Sequence, residues 1–321
     1  TNREYADYFT FECDVDYVAK TNVADDFFSK VAPLTDVREY IRKVLGYNLT
    51  GDNNARCFFI WYGKGSNGKS LISNIMKRIL GEYYHQCGNG VFTSYGNSEG
   101  NAATPHLVAM IGKRMGVMSE GKTADEMKIN IENLKQISGG DTISGRALYR
   151  DAINFKLQIK LNLLSNFKPS LSGEDAILSR LRYIFFDSQF VDNPTKPNEY
   201  KIVRGYFENV VLNNIDQFFT WIVKGAKEYF KNPKIDMPKE FAERTNMMVQ
   251  VGDSVTCFIK HCIINTKSAK DYVRRSELFE YYKAYCDKNS QRCVPRTRLF
   301  DRLEHIGIQP NYVMGSAFIE N

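Results

Sequence analysis

A chain of 321 residues, 43% hydrophobic and 25% charged, has the make-up of an ordinary globular protein with room for a large core and an accessory domain. No apolar run approaches the ~20 residues that cross a bilayer and the first residues lack a signal-peptide pattern, so no membrane partner and no secretory precursor are expected. The net charge of +6 suits a polyanionic partner without requiring one, and seven cysteines, odd in number and without a CxxC pair, point to reduced thiols in an intracellular compartment, cytosol or nucleus.

The chain begins at Thr1 without a methionine, which fits a fragment of a longer polypeptide. Residues 1–25 are weakly patterned. Asp25 to Val31 and Asp36 to Leu45 show helical spacing across Pro33, with Thr35 or Asp36 as a candidate N-cap, and Gly46, Gly51 and Asn53-Asn54 close this helical lead-in.

Cys57 to Tyr62, apolar, aromatic and β-branched, reads as a buried strand, and it runs into Gly63-Lys64-Gly65-Ser66-Asn67-Gly68-Lys69-Ser70 ahead of the helical stretch from Leu71 to Leu80. This is the full GxxxxGK[ST] pattern between strand and helix. Glycines let successive backbone N–H groups face phosphate oxygens, and the helix adds its positive N-terminal end. Lys69 would bridge the β- and γ-phosphates of a nucleoside triphosphate, and Ser70 would place its hydroxyl on Mg²⁺.

Residues 86–103, rich in Gly, Asn and Ser, read as a loop near the nucleotide, and a helix through His106–Met110 follows. A second buried strand, Met115 to Ser119, ends in Glu120, where an acid can orient a water for attack or hold Mg²⁺ through water. An amphipathic helix from Glu126 stops at Gly139-Gly140. Asp141 to Arg150 reads as two short segments about a turn, and Phe155 to Ser165 as one strand ending at Asn166, whose amide could reach the γ-phosphate or its attacking water. Ser172 to Asp175 introduces the segment Ala176–Arg182, a strand at Tyr183–Phe186 comes next, then a loop over 192–198. One long helix or two short ones span Val210 to Phe230, and Pro233 and Pro238 mark a linker.

From Phe241 the pattern changes to short helices, Ser254–Ile264, Arg275–Asn289 and Arg296–His305, with a candidate terminal hairpin strand at Val313–Ile319. Three helices and a strand pair resemble a winged-helix module. The Cys257, His261, Cys262 group reads as small side chains on a helix rather than a zinc site. Strand and helix alternation with polar residues at strand ends is the pattern of an open α/β sheet that binds nucleotides.

Together these stretches resemble the superfamily-three helicases, and most closely the poxvirus-type and phage or plasmid primase–helicases. Gly46-Tyr47-Asn48-Leu49-Thr50-Gly51 matches the segment before the ATP loop, and Asn67 the Asn before GKS. Lys135, Ser138, Gly139, Gly140, Asp141, Arg146, Leu148 and Tyr149 match the Lys-x-x-Ser/Thr-Gly-Gly-Asp…Arg-x-Leu-Tyr signature, and Asn166…Pro169 the sensor element. The resemblance covers Asp25 to the C-terminus and is densest over 42–187.

It implies an AAA+-type P-loop fold with a parallel sheet, in three parts: a helical lead-in over 1–50, an ATPase domain over 51–235, and a winged-helix-like helical domain over 236–321. It also implies a hexameric ring around single-stranded DNA, an upstream primase module in the same polypeptide, and work in a virus factory of the host cytoplasm or in the nucleus. ATP would lie between subunits, with Lys69, Ser70, Glu120 and Asn166 from one side and an arginine finger from the next. The family's Arg-Arg-hydrophobic element falls on Ser179-Arg180-Leu181, which makes Arg180 the candidate finger and Arg182 the alternative. Many family members carry two adjacent acids where this chain has Ser119-Glu120. Arg146, Tyr149, Arg150 and Lys156 fall on the hairpin that enters the channel, as contacts to DNA by phosphate binding and stacking. Two other functions share the ATP loop: an assembly or packaging ATPase that does not unwind, and a small-molecule kinase, which would need neither Asn166 nor the Gly139-Gly140-Asp141 signature.

Overall fold

The computed structural model describes residues 12–88, 104–119, 131–167, 178–252, 254–264, 273–289, 293–305 and 308. The chain divides into two compact units, one of residues 1–170 with 174–242, the other of 171–173 with 243–321.

In the first unit, α1 (Asn22–Val31) and α2 (Thr35–Leu49) lead into β1 (Phe58–Tyr62), α3 (Lys69–Leu80), a 3-10 turn and β2 (Tyr84–Gln86). Then come α4 (Pro105–Val108), β3 (Met115–Ser119), α5 (Ile131–Gly139), the antiparallel pair β4 (Thr142–Arg146) and β5 (Ala152–Lys156), β6 (Lys160–Ser165) and β7 (Leu181–Phe185). β8 (Gln189–Val191) and β9 (Glu199–Lys201) form a separate pair before α6 (Ile215–Lys231). The central sheet has the order β2-β3-β6-β1-β7, all parallel. β1 therefore lies between β6 and β7, and the ends of β1 and β6 are in register, Tyr62 opposite Ser165. In open α/β sheets ligands bind outside the carboxyl ends of strands where the order reverses, which is where this sheet places Gly63 and Asn166.

Burial follows from the strand composition. Phe58 to Trp61 and Lys160 to Ser165 are buried on both faces, as parallel strands require. The polar atoms this buries are paired: Trp61 Nε1 donates to Asn162 Oδ1 at 3.1 Å, and Asn162 Nδ2 to Asn48 Oδ1 at 2.9 Å. Lys160, 1% exposed, donates to Thr50 O and Gln158 O beneath the Tyr47 ring, and burial drives its pKa well below the usual lysine range.

The helical lead-in is a layer of this same unit. Phe28 stacks on Trp221 of α6 with ring centroids 3.8 Å apart, and α2 lies against α6 so closely that a Cβ on either Gly46 or Gly225 would overlap the other helix's backbone. Glycine is what permits that approach.

Several expected elements differ. The stretch from Phe155 to Ser165 is two strands: Phe155 and Lys156 pair antiparallel with β4, and the sheet strand starts at Lys160, with buried Leu157 and Ile159 at the bend. Alternation along a sequence cannot say which neighbour a residue pairs with. The helix expected from Val210 starts at Ile215, after a π turn at Phe207–Val211 and a 3-10 turn at Leu212–Asn214. The 192–198 loop is flanked by β8 and β9, which the pattern did not suggest.

α7 (Lys239–Gly252) crosses the boundary at Ala242. In the second unit α8 (Ser254–Cys262), α9 (Arg275–Lys288) and α10 (Arg296–His305) enclose a core of Val255, Phe258, Leu278, Tyr282, Cys286, Leu299, Phe300 and Leu303. Tyr282 fixes it by sharing a 2.5 Å hydrogen bond with Ser254 and accepting Val294 N–H at 3.0 Å. Among the described residues no three His, Cys, Asp or Glu side chains could hold a metal together. The expected strand at Val313–Ile319 lies outside the described residues.

Candidate nucleotide site

The loop from Gly63 to Ser70 turns at left-handed backbone angles, φ +103° at Gly65, +47° at Ser66 and +88° at Gly68, and α3 starts at Lys69. A Cβ at Gly63 would overlap Asn67 Nδ2 and stand 2.7 Å from Phe186 O, so only glycine fits there, whereas a Cβ at Gly65 would meet open space. The loop is tied on both sides: Gly63 N–H donates to Ser165 O at 3.3 Å, and Phe190 N–H to Ser66 O at 2.7 Å.

Lys69 is 5% exposed. Its ammonium donates to Gly63 O at 2.6 Å, Asn67 Oδ1 at 3.0 Å and Asn166 Oδ1 at 3.0 Å. Asn166 is brought there by a turn in which Ser165 Oγ accepts Phe167 N–H and donates to Phe167 O. All three acceptors are neutral, so among the described residues no opposite charge offsets the burial, which lowers the Lys69 pKa to about 8. Among the described residues no carboxylate pairs with this ammonium, and a buried cation at a helix start suits a polyanion.

A cavity of about 580 Å³ opens over this loop, lined by Gly65 to Leu71 and Asn166, by Phe27, Phe190, Ile202, Val203 and Tyr206, and by the charged Lys30, Lys201 and Glu208. Ser70 is exposed in the first turn of α3, able to offer its hydroxyl to a cation carried by phosphates. Of the expected site residues, the loop 63–70, Lys69 and Asn166 come together. Glu120 lies outside the described residues; Ser119 just before it pairs with Leu164.

Arg180 stands elsewhere, before β7 at its amino end, where its carbonyl accepts Phe58 N–H at 3.0 Å. β7 is an edge strand of five residues, so Arg180 is about 16 Å of strand away from the end that carries the loop. Arg182, the alternative finger, is committed within its own unit: its guanidinium donates to Ile235 O at 2.6 Å, Ser179 O at 2.8 Å and Leu181 O at 2.9 Å. Arg146, Tyr149, Arg150 and Lys156 gather on the β4–β5 hairpin, with Tyr149 fully exposed at φ +58° at its tip. The aromatic residues in this lining had no sequence signal, because they come from α1, β8 and the segment after β9.

The Lys69 environment gives a pH dependence. A bound triphosphate supplies the missing counter-charge and so favours the protonated amine. Above pH 8 the unliganded lysine is partly neutral, and binding must take up a proton; affinity for a non-hydrolysable ATP analogue should therefore fall by up to about tenfold per pH unit above 8 and stay level just below it. Calorimetric titrations between pH 7 and 9.5 check this, and a flat profile above 8 would rule it out.

Residues 61–180 match a family of unknown function (DUF5906). A protein of Acanthamoeba polyphaga mimivirus named "putative helicase" is 35% identical over 95% of this chain and 32% of its own length. A Frog virus 3 protein of the same name is 28% identical over 55% of this chain and 18% of its own length, and a Fowlpox virus primase is 24% identical over 56% and 23%. The chain thus spans a third or less of these relatives. Two structures of the NrS-1 C-terminal region share the fold. One has a TM-score of 0.53 at 15% identity over 85% of this chain and 64% of that one. The other has a TM-score of 0.55 at 11% identity over 96% and 77%.

Proposed function

We propose, from the kinship of this chain with helicases and primases of large DNA viruses, that it is the ATP-driven helicase motor of a primase–helicase. The observation that carries the proposal is the buried ammonium of Lys69, bonded to Asn166 where β1 and β6 end side by side and with no carboxylate partner among the described residues. Lys69 would take the β- and γ-phosphates, the N–H groups of 65–70 would hold the chain of phosphates, and Asn166, freed from Lys69 as phosphate replaces it, would orient the attacking water. Ser70 and Glu120 are the residues that would hold Mg²⁺, whose charge offsets that on the phosphoryl oxygens. Glu120 would also serve as the base.

β6 supports a motor reading mechanically. It is a fully buried strand about 20 Å long with the β4–β5 hairpin entering at one end and Asn166 leaving at the other. In this reading a displacement at the phosphate end would reach the hairpin through β6, the strand that joins them. In this reading the hairpin tracks single-stranded DNA in the channel of a ring, a hexamer of this chain attached to an upstream primase module, in a reducing host compartment such as a cytoplasmic virus factory or the nucleus.

The test is displacement of a strand from a forked duplex. ATP hydrolysis stimulated by single-stranded DNA together with displacement supports the motor; stimulated hydrolysis without displacement favours an assembly ATPase. Arg146→Glu and Tyr149→Ala should each weaken single-stranded DNA binding by about tenfold, with the salt slope reduced for Arg146→Glu, and leave basal hydrolysis in place. Unchanged DNA affinity in both variants would move the contacts off the hairpin.

A further inference from the structure

We infer that Cys286 and Cys293 are a thiol oxidation site, a pair that closes into a reversible disulfide and staples the segment before α10 to the last turn of α9. The site lies wholly in the second unit and stands apart from the nucleotide reading.

Four of the seven cysteines, Cys257, Cys262, Cys286 and Cys293, fall in this unit, and all seven are free thiols. Cys286 is 0% exposed in the core formed with Leu278, Tyr282 and Leu299, and Cys293 packs against that core from its edge, half-buried. The two side chains are close enough to share a hydrogen bond.

The backbone on both sides holds this contact. Tyr282 and Cys286 lie four residues apart on α9, so one helical turn sets them on the same face. Two consecutive residues dock on that face: Val294 N–H donates to the Tyr282 hydroxyl at 3.0 Å, and the Cys293 thiol meets Cys286. Tyr282 is held in turn by its 2.5 Å hydrogen bond with Ser254 of α8. What remains for a bond is closing from side-chain contact to about 2 Å between sulfurs.

Cys286 has no surface of its own, so a reagent enters at Cys293. Burial, with Cys286 beside it, holds the Cys293 thiol above its ordinary pKa, which keeps it protonated and slow towards most reagents at neutral pH. The second thiol behind it is what favours this pair. The oxidant is a small disulfide such as oxidised glutathione. Cys293 gives up its proton, its thiolate attacks one sulfur of that disulfide, and the departing small thiolate takes a proton. Cys286 then loses its proton and attacks the Cys293 sulfur of the mixed disulfide, expelling the second small thiol. Two protein thiols are oxidised to one disulfide, the small disulfide is reduced to two thiols, and the reverse steps reopen the bond.

The test equilibrates the full chain in buffers of reduced and oxidised glutathione, alkylates the free thiols in denaturant and maps them by mass spectrometry. Lys288 and Arg292 lie between the two cysteines, so trypsin leaves them in separate peptides that only a bond would join. As the buffer becomes oxidising, Cys286 and Cys293 should lose alkylation together as one linked pair, and dithiothreitol should restore both. The pair should form with an equilibrium constant about tenfold or more above that of the chain unfolded in guanidinium, because the fold already holds the thiols together. In Cys286→Ser the reaction should stop at one glutathione on Cys293; if that variant does not fold, the joint loss of alkylation in the parent decides. Full alkylation of both thiols in the oxidising buffer, bonds from either to other cysteines, or equal constants for the folded and unfolded chain would overturn the site.

Discussion

Lys69→Ala should reduce ATP turnover by on the order of 10²–10³-fold or more while leaving the melting temperature within about 4 °C of the parent. The two halves of this expectation have one cause. The ammonium is buried among three neutral oxygens, so in the free protein its charge is a cost to folding rather than a gain. With a folded pKa of about 8, below the ordinary lysine value of 10.5, the group is charged in both folded and unfolded chains below pH 8, and this part of the folding cost is relieved as pH rises from 8 towards 10.5. Removing the amine removes that penalty and leaves Gly63 O, Asn67 Oδ1 and Asn166 Oδ1 short of a donor, two effects of opposite sign. In the nucleotide complex nothing compensates, because the charge that met the phosphates is gone. Hydrolysis assays paired with thermal melts separate the two. Turnover indifferent to the change would sink the assignment, and a collapse of the melting transition would make Lys69 a structural residue instead.

The second large effect concerns Arg180. Arg180→Ala should retain nucleotide affinity within about twofold of the parent yet lose on the order of 10³–10⁵ in turnover, the usual weight of a finger that meets the developing charge. The physical case is one of distance. Arg180 precedes the amino end of edge strand β7, and the loop follows the carboxyl end of its neighbour β1, so within one copy a side chain cannot bridge the two. An edge position suits a residue that serves an adjoining copy. Mixing Arg180→Ala with Lys69→Ala subunits should then restore part of the turnover, since some interfaces pair an intact cradle with an intact finger. Absence of rescue at every ratio, with mixed assemblies shown by native mass spectrometry, would refute a shared site. Arg182→Ala is the contrasting control: its three bonds to Ile235, Ser179 and Leu181 carbonyls mark it as an anchor of β7, so its loss belongs in the melting curve.

The expectations that held are those set by local chemistry. The strand before Gly63, the loop and the helix after it could be placed because glycines, a buried apolar run and a lysine at fixed spacing admit few arrangements, and α9 and α10 fall within a residue of their expected ends. Phe155 to Ser165 misled because the same alternation serves a hairpin and a sheet, and the division at Leu157–Ile159 depends on which partner strand is near. The sequence ranked Arg180 ahead of Arg182 as the finger; that Arg182 is an anchor rests on three carbonyls, one of them 53 residues away in the chain.

By itself the amino-acid order determined the strand before Gly63, the glycine loop and the helix that starts at Lys69, because backbone conformation and helix polarity are properties of a few consecutive residues. Only the tertiary structure decided that Asn166 meets Lys69, that Arg182 is held in place, and that Phe27, Phe190 and Tyr206 form one wall. Those contacts join segments from 53 to 179 residues apart, and what brings them together is the packing of α1 and α6 and the strand order of the sheet, which no local pattern encodes.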